Sequence, residues 1–371
     1  MKRLLILGSS GSIGQTALTA ITTKRLPLRV VGLSSHTNES QLLKDAMSVG
    51  AEAVCLTGAN LESREDLKTY CGRDGLLAMI AECEVDIVLN AISGFAGLAA
   101  SLAVLEAGYD LALANKESVV CGAHLLFDRA RTSGSKIIPV DSEHSALNAL
   151  LKGQRREDVH SLILTASGGP FKNLKPSQFE QITASDALDH PTWQMGKKIT
   201  IDSATLANKA LEVIEASYLF DFPHDRIEVV VHPQSIIHSM IRTNDGALYA
   251  QLSRPDMSLA IVGALLEGPV DLVKPLNFAG LSLTFEEPKW DHFPLLGAAF
   301  DILRRNDSSA IAFNAADEVA VQAFLEGSLS YPRMIEVILT TLQERWDTKA
   351  EDWADVVAID KEARRYAQGL L

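Results

Sequence analysis

Cysteine is scarce in this sequence of 371 residues, and the four that occur have no spacing typical of a zinc site. Four cysteines in so long a chain also cannot form the dense disulfide framework that stabilises small secreted domains. We therefore expect reduced thiols in the core, at Cys55, Cys71, Cys83 and Cys121.

Positive charge and long apolar runs are also in short supply. Lys and Arg number 34 against 47 Asp and Glu, for a net charge of -13, whereas nucleic-acid binding depends on clustered Lys and Arg. The first apolar run ends at Gly8, too early for a signal peptide. The most apolar later stretch, residues 96–113, contains Glu106 and Asp110, which are costly in a bilayer. We expect a cytoplasmic protein that binds neither nucleic acid nor membranes.

Hydrophobic residues make up 47% of the chain, which is too long for one ordinary core, so we expect two or three domains. Near-continuous Val, Ile and Leu in short runs that alternate with helical patterns is typical of a parallel sheet covered by helices on both faces. The predicted strands of this first part are residues 4–7, 29–33, 53–56, 85–90, 111–114 and 137–140.

A second pattern of strands begins near residue 160, and only helical patterns follow residue 294. The predicted strands here are residues 161–165, 226–231, 236–242 and 247–252, with a hairpin turn at Asn244, Asp245 and Gly246. The predicted fold class is α/β: an N-terminal doubly wound Rossmann-type domain (1–145), a central α/β catalytic domain with a mostly antiparallel sheet (146–285) and a C-terminal α-helical domain (286–371).

Three glycines, Gly8, Gly11 and Gly14, lie between the first predicted strand and the first predicted helix. At such a place glycines let the backbone approach a pyrophosphate, and the helix N-terminus attracts its charge. The alternative is a tight strand-to-helix turn without a ligand. The sequence favours a dinucleotide site.

The second predicted strand is followed by His36, Thr37 and Asn38, without the Asp or Glu that would bind an NAD ribose and repel a 2′-phosphate. The sequence therefore favours NADP(H) over NAD(H).

An acidic pair, Asp141 and Glu143, follows the last predicted strand of the first domain. Residues two apart in an extended segment point the same way, so both carboxylates can meet one cation. The alternative is a cap and dipole partner for the next helix.

A helix predicted to begin at Ser203 places Asn208, Lys209 and Glu212 on one flank, where they suit phosphate and metal together. The alternative for Lys209 and Glu212 is an ordinary surface ion pair.

Two further segments suit an anionic substrate. Ser167 precedes a Gly-Gly-Pro turn and offers a hydroxyl beside unhindered backbone amides, although a plain turn has the same composition. Residues 186–198 are polar and irregular and carry His190, Trp193 and Met195, so we predict a mobile lid over the substrate. A loop packed permanently on its own domain is the alternative.

With these motifs in view, the chain resembles the 1-deoxy-D-xylulose 5-phosphate reductoisomerase family along essentially its whole length. The segments that carry the resemblance are residues 8–14, 114–118, 139–144, 167–171, 190–196, 202–212, 232–238 and 254–257.

The resemblance implies an oxidoreductase and isomerase that uses NADPH and a divalent cation, Mg2+ or Mn2+ with Co2+ as a further option, to convert 1-deoxy-D-xylulose 5-phosphate to 2-C-methyl-D-erythritol 4-phosphate in non-mevalonate isoprenoid biosynthesis. It also implies a homodimer.

The resemblance assigns roles residue by residue. The implied metal ligands are Asp141, Glu143 and Glu212, which with Lys116 and Lys209 form the catalytic set. The implied substrate contacts are Lys116, Ser142, Glu143, Ser167, His190, Trp193, Ser203, Asn208, Lys209 and Glu212. The implied cofactor contacts are Ser10, Gly11, Ser12, Ile13, Asn38, Asn115, Glu117 and Gly196, with Met195 on the flap that closes over the nicotinamide. We add His36 to the predicted cofactor contacts, although it does not follow the family pattern.

One position departs from the family pattern. Where the family often has Gly-Lys-Asn after the second strand, this chain has His36, Thr37 and Asn38. The lysine that would meet a 2′-phosphate is lost, and His36, if protonated, would replace it. Rival interpretations are an aspartate-semialdehyde or homoserine-type dehydrogenase, the first of which would need a catalytic cysteine, and a nucleotide-sensing protein without chemistry.

Overall fold

The structure is a computed structural model that describes residues 1–190, 192–193 and 195–371. Pro191 and Gln194, part of the predicted lid, lie outside the described residues.

The strands are short and fall into two sheets. They are β1 (Lys2–Leu7), β2 (Leu28–Ser35), β3 (Ala53–Leu56), β4 (Lys68–Cys71), β5 (Ile87–Asn90), β6 (Asp110–Leu113), β7 (Ile137–Pro139), β8 (Val159–Ala166), β9 (Ile227–Val231), β10 (Ile237–Thr243) and β11 (Leu248–Leu252).

Helices connect and cover these strands. They are α1 (Ser12–Thr23), α2 (Glu39–Val49), α3 (Gly72–Glu82), α4 (Ala96–Glu106), α5 (Lys116–Ser133), α6 (Ser142–Leu151), α7 (Ala184–Leu188), α8 (Lys197–Thr205), α9 (Ala207–Phe220), α10 (Ser258–Leu265), α11 (Pro294–Arg305), α12 (Ser309–Leu325), α13 (Tyr331–Leu342) and α14 (Trp353–Gly369). Short 3-10 turns lie at Arg156–Asp158, Pro176–Gln181 and His224–Arg226.

The chain forms two compact units. The first contains Met1–Ser118, Ala123–Ser145 and Asp256–Lys274, and the second contains Val119–Gly122, Ala146–Pro255 and Pro275–Leu371. The division into three domains at residues 145 and 285 stays a prediction.

The first unit is built on a parallel sheet in the order β4-β3-β2-β1-β5-β6-β7. The order reverses beside β1, and in open α/β sheets ligands bind at the carboxyl ends of the strands at such a point. Residues 4–7 of β1 are wholly buried, as expected for a strand covered on both faces. The predicted Rossmann-like sheet is confirmed.

One strand of this sheet, β4, is missing from the predicted strands. It lies at the sheet edge, with Lys68 exposed and Thr69 and Tyr70 half-buried, so it lacks the apolar run that marks the other strands. An edge strand pairs on one side only, and its sequence therefore carries a weak signal.

The sheet of the second unit has the order β11-β10-β8-β9 and is mixed. The pairs β10–β11 and β8–β10 are antiparallel, whereas β8 and β9 are parallel. The predicted turn joins β10 to β11: Asp245 accepts a hydrogen bond from the Ala247 N–H at 3.1 Å, and Gly246 has a φ of +88°.

The long helix predicted to begin at Ser203 is wrong. Ser203 lies inside α8, and the chain breaks at Leu206, whose left-handed φ of +58° ends α8 and leads into α9. Thr205 stabilises this junction because its hydroxyl accepts a hydrogen bond from the Ala207 N–H at 3.2 Å. A left-handed leucine has no sequence signature, so hydrophobic periodicity alone runs through the break.

The predicted boundaries of the lid also need correction. Helix α7 extends to Leu188 and α8 begins at Lys197, so the predicted lid can include only residues 189–196 between these helices, which are called the lid segment below.

The four cysteines are free thiols. Among the described residues, no helix is both long and apolar enough to cross a membrane.

Candidate active site

The glycine loop of the first unit connects β1 to α1. A Cβ atom at Gly8 would lie 2.6 Å from the Ala91 carbonyl oxygen, and one at Gly14 would lie 2.5 Å from the Cα atom of Ser9. Gly11 is the N-cap of α1 without a side-chain hydrogen bond, and it is exposed. At Gly8 and Gly14 the loop packs so closely against the neighbouring backbone that no side chain fits. The N-terminus of α1 stays accessible to an anion.

Hydrogen bonds that the sequence did not reveal brace this loop. The Ser9 hydroxyl donates to the Ser34 carbonyl oxygen at 3.1 Å, and the hydroxyls of Ser10 and Ser35 lie 2.7 Å apart. The Gln15 amide donates both to the Ser9 carbonyl oxygen at 2.9 Å and to the buried Asp45 carboxylate at 2.6 Å. The loop is thus tied to the sheet edge and to α2.

The expected 2′-phosphate position is formed by exposed residues after β2. The Nδ1 atom of His36 lies 3.0 Å from the Thr57 hydroxyl, and a Cβ atom at Gly58 would lie 2.5 Å from the His36 ring. The imidazole is therefore seated against Gly58. Asn38 caps α2 by accepting a hydrogen bond from the Gln41 N–H, so its side chain already has a structural role.

Asn115 and Glu117 are buried rather than exposed to a ligand. The Asn115 amide donates to the carbonyl oxygens of Ile92 and Gly94 and to the Glu117 carboxylate, at 2.8, 2.9 and 2.8 Å. Glu117 also accepts from the Gly94 N–H at 3.1 Å. Both side chains fix the loop that follows β5, and a direct contact with a cofactor stays a prediction.

The acidic pair begins α6. The Asp141 carboxylate accepts a hydrogen bond from the Glu143 N–H at 3.2 Å, as in the capping alternative, and its other oxygen lies 2.7 Å from the Lys116 ammonium. The side chain of Lys116 is 6% exposed and that of Asp141 is 14% exposed. Ser142 donates to the Glu143 carboxylate. The carboxylate of Asp141 thus combines a capping role with a shielded ion pair.

In the second unit, His190 joins two hydroxyls. Its Nε2 atom lies 3.2 Å from the Ser167 Oγ atom and 3.1 Å from the Ser203 Oγ atom. Ser167 follows β8 and also accepts a hydrogen bond from the Gly169 N–H. The structure thus brings together three predicted substrate contacts that are far apart in sequence.

The other nitrogen of His190 holds the lid segment. Its Nδ1 atom accepts hydrogen bonds from the backbone N–H groups of Thr192 and Trp193, at 3.1 and 3.0 Å. An accepting Nδ1 carries no proton, so the proton of the neutral ring lies on Nε2. Burial lowers the pKa of His190, which favours this neutral form.

The flank of α9 also forms as predicted. The Asn208 amide donates to the Glu212 carboxylate at 2.5 Å, and the Lys209 ammonium pairs with the other oxygen of Glu212. Lys209 is 4% exposed and Glu212 is 1% exposed, so the surface-pair alternative is wrong. Such burial of a charge pair is uncommon outside functional or structural networks.

The predicted site residues divide between the two units. The first unit contains Ser10, Gly11, Ser12, Ile13, His36, Asn38, Asn115, Lys116, Glu117, Asp141, Ser142 and Glu143, and the second contains Ser167, His190, Trp193, Met195, Gly196, Ser203, Asn208, Lys209 and Glu212. Sequence reasoning missed Lys198 and Asp317, which form an ion pair in the second unit.

The parallel sheet with its glycine loop defines a dinucleotide-binding protein of the α/β class. In the second unit the hydroxyls of Ser167 and Ser203 meet the His190 imidazole, and this group, called the anion site below, is a candidate site for a phosphorylated substrate.

Comparison with known proteins is specific. The profile of 1-deoxy-D-xylulose 5-phosphate reductoisomerase matches residues 4–123, and profiles of its C-terminal domains match residues 137–220 and 252–366. The chain therefore belongs to the 1-deoxy-D-xylulose 5-phosphate reductoisomerase family. The predicted family and enzyme class are confirmed.

Relatives and solved structures agree over full length. The reductoisomerase of Treponema pallidum (strain Nichols) is 44% identical over 99% of this chain and 97% of its own, and that of Geotalea daltonii is 42% identical over 100% and 99%. A solved structure of the Zymomonas mobilis enzyme with NADPH shares 34% identity and a TM-score of 0.90, covering 100% of this chain and 98% of that one. A reductoisomerase structure with NADPH, fosmidomycin and magnesium shares 33% identity, with the same coverage and TM-score.

Proposed function

We propose that this chain catalyses the NADPH- and divalent-metal-dependent rearrangement and reduction of 1-deoxy-D-xylulose 5-phosphate to 2-C-methyl-D-erythritol 4-phosphate, a step of non-mevalonate isoprenoid biosynthesis. The observation that carries the proposal is identity of 44% to a reductoisomerase over 99% of the chain.

The anion site of the second unit supports a phosphorylated substrate. Ser167, His190 and Ser203 place two hydroxyls and one imidazole N–H at a single point. Asn208 and Lys209 begin α9, where the helix N-terminus adds positive potential. These five residues hold the phosphate, so that binding energy at the non-reacting end orients the reacting carbons.

We assign the divalent cation to Asp141, Glu143 and Glu212. Carboxylate oxygens are the ligands that Mg2+ and Mn2+ prefer, so the donor set fits either ion, with Co2+ as a further option. Lys116 pairs with Asp141 and Lys209 pairs with Glu212, and these ion pairs orient the carboxylates. The reductoisomerase structure with magnesium supports the choice of ion.

We assign NADPH to the first unit. The pyrophosphate would be held by Ser10, Gly11, Ser12 and Ile13 at the N-terminus of α1. His36 and Asn38 meet the adenosine end, and Asn115 and Glu117 shape the loop after β5. Met195 and Gly196 of the lid segment cover the nicotinamide. The solved relatives with NADPH support this cofactor.

The residues of the chain divide the chemistry as follows. The cation stabilises negative charge that develops on the substrate oxygens, and NADPH supplies hydride. Lys116, Ser142 and Glu143 hold the sugar backbone. Trp193 and Met195 exclude water from the reacting carbons when the lid segment closes.

We further propose a cytoplasmic homodimer. Strand β11 is the edge of the second sheet, and its Leu248 and Tyr249 are 52% and 45% exposed. An exposed apolar edge strand is suited to pairing with a second copy of the chain.

The test is oxidation of NADPH with 1-deoxy-D-xylulose 5-phosphate, followed by absorbance, in Mg2+, in Mn2+ and in excess chelator. We expect turnover with either ion and none with chelator, together with 2-C-methyl-D-erythritol 4-phosphate as the product by mass spectrometry and NMR. Glu212→Gln is the control for adventitious oxidation. Absence of turnover in both metals with folded protein would refute the proposed function.

A further inference from the structure

Lys198 forms two ion pairs inside the second unit. Its ammonium lies 2.7 Å from the Asp202 carboxylate and 2.6 Å from the Asp317 carboxylate. The side chains of Asp202 and Asp317 are 3% and 0% exposed, whereas that of Lys198 is 22% exposed. Buried carboxylates are costly without a cation, so this lysine stabilises negative charge at that position.

Burial raises the pKa of Asp317 and the Lys198 ammonium opposes that rise. The ion pair therefore links α8 to α12 through groups that have little access to water. Asp317 is 119 residues from Lys198 in the sequence, and no motif relates the two residues.

Lys198 lies in the first turn of α8, next to the lid segment, so its ion pair with Asp317 holds the chain where that segment ends. Lys198 is the second residue of α8 and is separated from residues 189–196 only by Lys197. The first turn of α8 is only partly buried, whereas residues 200–205 are fully buried. A first turn has N–H groups without helical partners and unravels readily unless a side chain ties it down.

The same helix presents Ser203 to the anion site. Ser203 lies 3.1 Å from the His190 Nε2 atom, and near this end α8 is held by the Tyr331 hydroxyl, which donates to the Ala204 carbonyl oxygen at 2.8 Å. The two ends of α8 are therefore held separately, the C-terminal end by Tyr331 and the N-terminal end by Lys198.

We propose that Lys198, held by Asp317, is a positioning residue that fixes the C-terminal end of the lid segment. At the other end, His190 belongs to the segment itself: its Nδ1 atom accepts from the N–H groups of Thr192 and Trp193, and its Nε2 atom contacts Ser167 and Ser203 outside the segment. The described residues on the two sides of the lid segment are thus held by different side-chain contacts, and the Lys198–Asp317 ion pair connects one side to α12. The link to substrate rests on the proposed function, whereas the anchoring itself does not.

A matched control for Lys198 is Arg364, which pairs with a carboxylate of the same helix, α12. Glu318, next to Asp317 on α12, pairs with Arg364 at 2.7 Å, and Arg364 also pairs with Asp360 at 2.8 Å. The side chain of Arg364 is 26% exposed, close to the 22% of Lys198. Arg364→Met and Lys198→Met therefore each remove one half-buried cation from two carboxylates.

The experiment is limited chymotrypsin digestion of the full chain without ligand, with cleavage after Trp193 followed by mass spectrometry. We expect both variants to lower the thermal midpoint, because each removes the cation that pairs with two carboxylates. Only Lys198→Met should accelerate cleavage after Trp193, by about tenfold or more, because only that variant releases the first turn of α8. Asp317→Asn keeps the shape of the side chain and should show a smaller increase in the same direction.

Kinetics provide the second measurement. Lys198→Met and Asp317→Asn should raise the KM for 1-deoxy-D-xylulose 5-phosphate at least fivefold with the KM for NADPH unchanged, while Arg364→Met should change neither. Equal cleavage rates after Trp193 in Lys198→Met and Arg364→Met would overturn the proposal. If Lys198→Met does not fold, the cleavage rates after Trp193 in Asp317→Asn and in its control Asp360→Asn are compared instead, and equal rates would again overturn the proposal. A wild type without turnover would refute the proposed function and leave the digestion result standing.

Discussion

His190 makes different contacts with its two nitrogens, and two amide substitutions separate them. In His190→Asn the side-chain oxygen replaces Nδ1, and in His190→Gln the side-chain amide nitrogen replaces Nε2. The Asn variant should keep the hydrogen bonds from Thr192 and Trp193 but lose those to Ser167 and Ser203. The Gln variant should do the reverse.

The magnitude follows from the number of bonds lost. His190→Gln removes two backbone hydrogen bonds, at 3.1 and 3.0 Å, that hold the lid segment. At about 0.5–1.5 kcal/mol each, their loss is about 1–3 kcal/mol. Since 1.4 kcal/mol corresponds to a factor of ten, the conformation that these two hydrogen bonds stabilise should be disfavoured by about 5- to 140-fold.

The assay compares the two variants by chymotrypsin cleavage after Trp193 and by substrate KM. We expect His190→Gln to be cleaved faster than wild type, and His190→Asn to be cleaved at the wild-type rate with a raised KM from its lost phosphate contact. If both variants are cleaved at the same rate, the assignment of Nδ1 to the lid segment is wrong.

The pH dependence of the same contact has a definite sign. Protonation of Nδ1 would set an N–H against the N–H groups of Thr192 and Trp193, so the contact exists only with the neutral ring. Because burial lowers the pKa of His190, the contact should be complete above the ordinary imidazole pKa of about 6.5 and be lost only as the pH falls through the lowered value. Trp193 fluorescence, with Trp193→Phe subtracted, should change in that range in wild type and stay constant in His190→Asn.

Three further predictions concern metal, cofactor choice and the glycine loop. Glu212→Gln should abolish turnover in Mn2+ while NADPH binding, followed by fluorescence titration, stays within about twofold of wild type, because the amide keeps the shape but loses the charge; near-normal turnover would remove Glu212 from the metal site. Thr37→Lys should lower the KM for NADPH severalfold and leave the KM for NADH unchanged, since one exposed charge contact is worth about 0.2–1 kcal/mol. Equal kcat/KM for both cofactors in wild type would refute the NADP assignment. A ratio of the two kcat/KM values that is the same at pH 6 and pH 8 would exclude His36 as the compensating charge. Gly14→Ala should lower the thermal midpoint because its Cβ atom would lie 2.5 Å from the Cα atom of Ser9. In Gly11→Ala the Cβ atom would lie 3.4 Å from the nearest backbone oxygen, so this variant should keep the midpoint and weaken NADPH binding. Equal midpoints in the two variants would show that the loop has room at Gly14.

Local sequence determined the first sheet and the chemistry of most candidate residues. Buried parallel strands need continuous apolar runs, so six of the seven strands of that sheet could be predicted. The strand that was not predicted is β4, at the polar edge of the sheet. The glycine loop and the Asn208–Glu212 flank are also local, because spacing along a strand-to-helix turn or a helix fixes which groups meet.

Tertiary structure alone decided the rest. Nothing near Leu206 in the sequence shows that a left-handed residue divides α8 from α9. The packing of distant elements determines three further features: the burial of the Lys209–Glu212 ion pair, the hydrogen bond between Ser167 and His190, and the ion pair between Lys198 and Asp317. A charge pair has the same sequence pattern on a surface and in a core, and only the surrounding elements determine whether water reaches it.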